Sequence, residues 1–294
     1  MMKRFSVVLL LVAAMPSPAL AWGSSAHRFI MDRAIDLLPP ELRPFFDHYR
    51  TELLVRIVDP DTWRTIGWED DPNQFIDFGV KEYGEFPFAE LPREYGAALE
   101  KFGMPTLKRN GLLPWREQEE FGNLRRAFEE FTRNVPTAPS DVILFAAVAA
   151  HYIEDATMPL HASNNYDGQL TGQNGIHARF ETTLFERYQS RLMVTPTPPK
   201  PMTNPRDAAF DLALASYQSV PELLAADKDA VAGKDIYDDE YFERFFLRAG
   251  PLLERRLSAA MTATASLIIG AWEQASKPHL TIDLPQLPQR VRKP

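Results

Sequence analysis

The residues most able to do chemistry lie between positions 151 and 181. His151 and Asp155 stand four apart, and His177 and Glu181 repeat that spacing. Side chains four apart on a helix share one face, one turn from each other. His161 lies between the two pairs. Imidazole nitrogen and carboxylate oxygen are the ordinary ligands of catalytic zinc. A lone His-x-x-x-Asp pair is often only a helix-surface pair, and capped or core histidines are the plain alternative. Two such pairs flanking a third His, around a Gly-rich loop, point to a metal site.

His27 adds a donor whose value depends on processing. It lies five residues after Trp22, in "WGSSAH". With Trp22 at a free N-terminus, its amine and carbonyl oxygen can chelate one ion in a five-membered ring, and His27 can complete the site. Before cleavage the same nitrogen is an amide, a poor ligand. The preceding residues have the pattern such a cut requires. Lys3 and Arg4 lead into an apolar run at 5–14, Pro16 and Pro18 break it, and Ala19-Leu20-Ala21 offers the small residues a signal peptidase reads. That run is too short for a membrane anchor. Residues 1–21 are therefore expected to be a signal peptide, and the mature chain to be exported, periplasmic or secreted.

The elements that must position these groups read as helices. Helical periodicity dominates, long alternating runs are absent, and no internal repeat is seen. Helices are expected at 25–38, 41–54, 90–102, 115–133, 139–157, 176–192, 208–226 and 238–274. Residues 61–88 and 164–175 read as loops. The five prolines at 196–205 mark a surface connection inside the domain. The expected fold is all-α, one helical domain over 22–276 with a metal cleft between helices and irregular loops. An extended or disordered tail follows at 277–294. The two ligand-bearing helices are expected to pack side by side, with His161 pointing into their cleft from the intervening turn.

Composition narrows the function. The chain has no Cys, so an exported form must rely on its core or on metal rather than on disulfides. Its length allows a sizeable core. The apolar run at 143–150 is too short to span a bilayer and reads as a buried helix, so no transmembrane segment is expected. The net charge is -8, and losing Lys3 and Arg4 with the signal makes it -10. That weighs mildly against long-range attraction to nucleic acid or anionic membranes, without excluding a local cationic site made by metal. No feature requires an obligate protein partner.

Taken together, "HYIEDATMPLHASN" and "GIHARFE" resemble the core of the bacterial zinc-dependent phospholipases C and the related fungal single-strand nucleases. "WGSSAH" after a small-residue cleavage site is similar to their mature N-terminus, and "DPDTWR" and "NQFIDF" resemble their early Asp segment and their His-Phe/Tyr-x-Asp segment. The resemblance runs from Trp22 to about Glu181. It implies up to three zinc ions in one cleft and hydrolysis of a phosphate ester, either a phospholipid headgroup or a single-stranded nucleic acid. By motif position, Trp22 and His27 would hold one zinc and Asp155 would bridge it to a second. That second ion would take His151 and Asp61, and His161, His177 and Glu181 would hold the third. Asp61 has a second possible role, as the base that positions water. Asp59, two residues earlier, competes with it, but Asp61 has the family's Asp-x-x-Arg context with Arg64. Glu181 and the "GIHARFE" form look more like the phospholipase branch.

One position departs from the resemblance. Gln74 stands where the family has a His ligand, and a neutral amide is a much poorer donor to zinc. Glu69, Asp70 or Asp71 is a possible substitute. His48 reads as a surface residue, and His279 falls in the tail. Gln74 keeps open a reading of another class: a zinc-binding protein whose catalysis has weakened. The aromatic residues around it, Trp63, Trp68, Phe75, Phe78, Tyr83, Phe86 and Phe88, could wall a headgroup or base, but core packing is the better expectation for each. Trp115 in "GLLPWR" reads as structural.

Overall fold

The computed structural model describes residues 22–234 and 236–282. The signal peptide expected at 1–21, the end of the tail at 283–294 and the Arg64 side chain lie outside the described part. The fold is all-α. Among the described residues no strand forms beyond an isolated bridge between Phe78 and Ser163.

The first helix, α1 (Ser24–Asp36), buries Ala26, His27, Ile30, Met31, Ala34 and Ile35, a stripe at three- and four-residue spacing. The single helix expected at 41–54 is two, α2 (Arg43–His48) and α3 (Arg50–Arg56). They part at Tyr49, whose φ of -97° and ψ of 13° leave the helical range. The bend lets Phe45, Phe46 and Leu53 all reach the core. A short α4 (Asp59–Trp63) opens the expected loop, which continues through three 3-10 turns, Arg64–Ile66, Asp71–Asn73 and Lys81–Tyr83. The helix expected at 90–102 is α5 (Tyr95–Asn110). It starts late because the Glu94 carboxylate caps the Ala97 N–H at 2.8 Å, and it runs on past a kink at Gly103, where φ is 73°.

α6 (Leu113–Thr132) and α7 (Ala138–Asp155) form the centre. The run 143–150 is a buried helix, as expected. Ala146, Ala147, Ala149 and Ala150 let neighbours approach closely, and Leu124 and Phe128 of α6 pack in the same core. Where one helix was expected at 176–192, the chain forms α8 (Ile176–Ala178), a π turn (Arg179–Leu184) and α9 (Phe185–Tyr188). α10 (Pro205–Val231) and the long α11 (Asp239–Gln274) complete the fold. Their first turns are capped by Asn204 and Asp238.

The proline-rich connection is fixed along α11. The N–H groups of Met193, Thr195 and Thr197 donate to Glu254, Ser258 and Thr262 at 2.7, 2.9 and 3.1 Å. Alternate residues of an extended chain thus meet every fourth residue of a helix. Gly270 permits the close approach at the far end, because a Cβ there would stand 2.1 Å from the Met202 carbonyl oxygen. Beyond α11, residues 277–282 are non-helical. The Trp272 indole donates to the Pro278 carbonyl at 2.9 Å and the Tyr49 hydroxyl to that of Ile282 at 3.2 Å. The first core joins α1, α3, α6, α7 and α11; a second gathers Trp22, Met158, Leu160, Phe180 and the facing parts of α10 and α11. Ile153 and Ala156 belong to the first and Met158 to the second, so the end of α7 lies where the two meet.

Candidate metal centre

Four segments bring the candidate ligands together at that junction. α1 supplies His27, and the last turns of α7 supply His151 and Asp155. The 3-10 turn Pro159–Ala162 supplies His161, and α8 with the π turn supplies His177 and Glu181. All six side chains are buried. The expected side-by-side packing of the two ligand helices is corrected in one respect. α1 packs against both α7 and the π turn and so links them, because α8 is too short to lie along α7. The entry to α1 closes on the π turn through a glycine: a Cβ on Gly23 would stand 2.5 Å from Thr182 Oγ1. π turns are frequent at functional sites, and this one carries Glu181.

The donor atoms form two groups, His27, His151 and Asp155, and His161, His177 and Glu181. In the first, the Asp155 oxygens diverge. Oδ1 lies 3.4 Å from His27 Nε2, and Oδ2 lies 3.4 Å from His151 Nε2. Ligands about 2.0–2.1 Å from a tetrahedral zinc stand about 3.3–3.4 Å apart, which matches. In the second, His177 Nε2 lies 3.1 Å from His161 Nε2 and 2.9 Å from Glu181 Oε2. The groups adjoin, with His161 Nδ1 3.8 Å from Asp155 Oδ1.

A test of fit comes from the atoms left over. His27 Nε2, His151 Nε2 and both Asp155 oxygens are buried without a hydrogen-bond partner. Each such atom costs about 1–3 kcal/mol of lost solvation. A cation would satisfy all four at once, and the donor set of imidazole and carboxylate is one that zinc accepts.

Outer contacts aim the rings. His151 Nδ1 pairs with the Ile57 carbonyl at 2.9 Å, His161 Nδ1 with the Gln74 carbonyl at 2.6 Å, and His27 Nδ1 with the Glu154 carboxylate at 2.6 Å. Each leaves Nε2 facing the cluster. Arg256 of α11 donates to the Thr157 carbonyl at 2.7 Å and to Ser216 Oγ at 2.6 Å, fixing the turn between Asp155 and His161. Arg179 pairs with Asp227 at 3.0 Å and holds the Asn174 carbonyl at 2.7 Å, fixing the approach to His177.

Burial sets the protonation of this cluster. It drives His151 down to about 3 and holds His27 and His161 well below the usual range, helped by their histidine neighbours. Burial also pushes Asp155 far up, reinforced by Asp61 and Glu181, and lifts Glu181 to about 7 against the pull of His177. Burial opposes charge on His177 as well, but Glu181 overrides it and raises that imidazole. His27, His151 and His161 are thus held as neutral imidazoles, the form that binds metal, while His177 shares its proton with Glu181.

Asp61 is buried, with Oδ1 3.7 Å from His151 Nε2, whereas Asp59 is half-exposed and 3.5 Å from Arg56. Gln74 reaches His161 through its backbone; its side-chain amide donates to Asp70 Oδ2 at 3.3 Å and belongs to neither group. Of the possible substitutes, Asp70 is buried but accepts from the Tyr152 hydroxyl at 3.0 Å and from Asn73 at 2.9 Å, while Glu69 is exposed and paired with Lys108. Trp22 abuts the cluster through its indole, which donates to the Glu154 carbonyl at 3.0 Å.

His48 and His279 are exposed, as expected. Phe78, Tyr83 and Phe88 are core residues, whereas Trp68 and Phe86 are 59% and 47% exposed. Trp115 is buried and donates to the Arg93 carbonyl at 2.9 Å. The residue that sequence reasoning missed is Glu154. Its only signal was an acid beside Asp155, which on a helix reads as a solvent-facing charge.

A groove of about 810 Å³ runs between the proline-rich connection and α10 and α11, lined by Thr195, Leu212, Ser258 and Thr262 among others. It shares no lining residue with the cluster.

Comparison with known proteins finds no matching family model and no matching curated protein. The buried His, Asp and Glu groups could hold a metal ion.

Proposed function

We propose that this chain is an exported zinc-dependent phosphoric ester hydrolase of the phospholipase C type, with single-strand nuclease activity the alternative on the same fold. The observation that carries the reading is the convergence of His27, His151, Asp155, His161, His177 and Glu181 in one buried cluster, with unpartnered donor atoms at its centre. The resemblance between residues 22 and 181 and the zinc phospholipases C supplies the reaction class, the choice of zinc and the number of up to three ions. Bound zinc would polarise a phosphoryl oxygen and lower the pKa of a water molecule.

The chain's own residues have separable tasks in this reading. Asp155 presents one oxygen to His27 and the other to His151, as a bridging ligand must. Asp61, beside His151 and close enough to raise Asp155, would serve as a ligand with His151 or as the base that orients a water. The backbone carbonyls of Ile57 and Gln74 hold His151 and His161 in the tautomer that frees Nε2. Trp63 and Trp68, with ring centroids 5.6 Å apart, lie on the segment between Asp61 and Asp70. The exposed Trp68 offers a surface for a lipid or a base.

A second reading, a zinc-binding protein with weakened catalysis, has one observation in its favour. The Gln74 side chain is bonded to Asp70 and adds no donor to either group. The two readings part on activity. The zinc-loaded chain beginning at Trp22 is assayed on a generic phosphodiester, phosphatidylcholine, single-stranded DNA and RNA, with and without chelator. Chelator-sensitive hydrolysis supports the enzyme. Stoichiometric zinc with no hydrolysis of any substrate supports the binder.

A further inference from the structure

Glu154 is fully buried, yet it is no candidate ligand of either group. Its side chain extends from α7 to the far edge of the His27 ring. Oε2 lies 2.6 Å from His27 Nδ1, and Oε1 accepts the Thr264 hydroxyl of α11 at 3.2 Å. Its backbone carbonyl accepts the Trp22 indole at 3.0 Å. One residue therefore fixes both Trp22 and His27, while the adjacent Asp155 faces His27 Nε2 at 3.4 Å. The imidazole is bonded to Glu154 through Nδ1, while its Nε2 faces Asp155 across an unbonded gap. The corresponding Nδ1 partners of His151 and His161 are neutral carbonyls.

We infer that Glu154 is a positioning residue that makes His27 a stronger metal donor than His151 or His161, an inference that rests on the metal-binding reading above. A metal on Nε2 requires the ring proton on Nδ1, and Nδ1–H then donates to the Glu154 carboxylate. A carboxylate acceptor draws that proton more strongly than a carbonyl, so Nε2 becomes more basic and the ring is fixed in the binding tautomer. Outer carboxylates of this kind are worth about 10–100-fold in metal affinity. Thr264 holds the carboxylate in place from the opposite side, so it acts at one further remove.

The test titrates Zn²⁺ and Co²⁺ into chelator-treated protein, using the full chain and, in parallel, the chain beginning at Trp22. Wild type, Glu154→Gln and Thr264→Val are compared, the last removing only the outer hydroxyl. The expected result is a loss of about 10–100-fold in the affinity of one metal equivalent in Glu154→Gln. Thr264→Val should show a smaller loss, and the equivalent held by His161, His177 and Glu181 should be unchanged. Proton NMR of the wild type should show a downfield His27 Nδ1–H signal that is absent from Glu154→Gln. Unchanged affinities and an unchanged proton spectrum would overturn the inference. A uniform loss of every equivalent in both variants would overturn it too, since that marks a general structural role. A wild type that binds no metal would defeat the metal reading itself, a distinguishable outcome.

Discussion

Glu181→Gln should stabilise the metal-free protein and destabilise the zinc-loaded one. Glu181 is buried, and burial lifts its carboxyl from 4.5 to about 7 despite His177 at 2.9 Å. A raised folded-state pKa means that ionising this group opposes folding. The penalty is absent below pH 4.5, grows as pH rises toward 7, and is fully present above it. Its size at pH 8 is about 3 kcal/mol, at about 1.4 kcal/mol per pKa unit. Gln cannot ionise, so the metal-free variant should exceed wild type by up to about 3 kcal/mol at pH 8, or roughly 6–12 °C in Tm. The advantage should shrink toward zero by pH 4.5. The variant also loses the pairing through which Glu181 raises His177, so this gain is an upper bound. Zinc reverses the order once free zinc reaches about 1,000 times its Kd, where a bound site adds about 4.1 kcal/mol that the variant forfeits. The assay is denaturant unfolding of chelator-treated and zinc-loaded samples at pH 8 and 4.5. An equal loss of stability in Glu181→Gln under all four conditions would instead make Glu181 an ordinary structural partner of His177.

Other outcomes follow from this geometry together with the resemblance to the zinc phospholipases C. A Met added before Trp22 should lower zinc content by about one equivalent and slow hydrolysis, with the His161, His177 and Glu181 group little affected; elemental analysis of both forms checks this. Asp155→Asn should abolish most metal binding and hydrolysis, because its two oxygens serve two histidines, while Gln74→His should raise zinc affinity and rate; equal effects in a metal titration would contradict the assignment. Asp77, lifted to about 7 by burial, should give an Asp77→Asn variant that is more stable than wild type at pH 8, by up to about 4 kcal/mol, and no more stable at pH 4, as measured by denaturant unfolding.

Much of the site was legible because helical spacing is local. The four-residue pairs in α7 and in α8 with the π turn needed no tertiary knowledge to be placed on common faces. The apolar run 143–150 identified its own burial in the same way. The missed features depend on distant chain segments. Glu154 is buried only because α1 and α11 close over it, bringing in His27 and Thr264 from 127 and 110 residues away. Gln74 was weighed as a side chain, whereas its carbonyl is what touches His161, and backbone roles leave no trace in residue type. The π turn was hidden for a related reason. An i, i+4 pair fits an ordinary helix, and the extra residue per turn appears only when Gly23 and Trp22 pack against it. Similarly, the break at Tyr49 has no Gly or Pro to announce it; the demands of Phe45, Phe46 and Leu53 on one core produce it.

If the proposed reading holds, both buried groups of His, Asp and Glu bind zinc. X-ray anomalous scattering at the zinc edge, on crystals of the zinc-loaded protein, tests it most directly. One peak is expected within about 2.0–2.2 Å of donor atoms from His161, His177 and Glu181, and density at the same range from His27, His151 and Asp155. Absence of anomalous density at both groups, in protein exposed to saturating zinc, would contradict it.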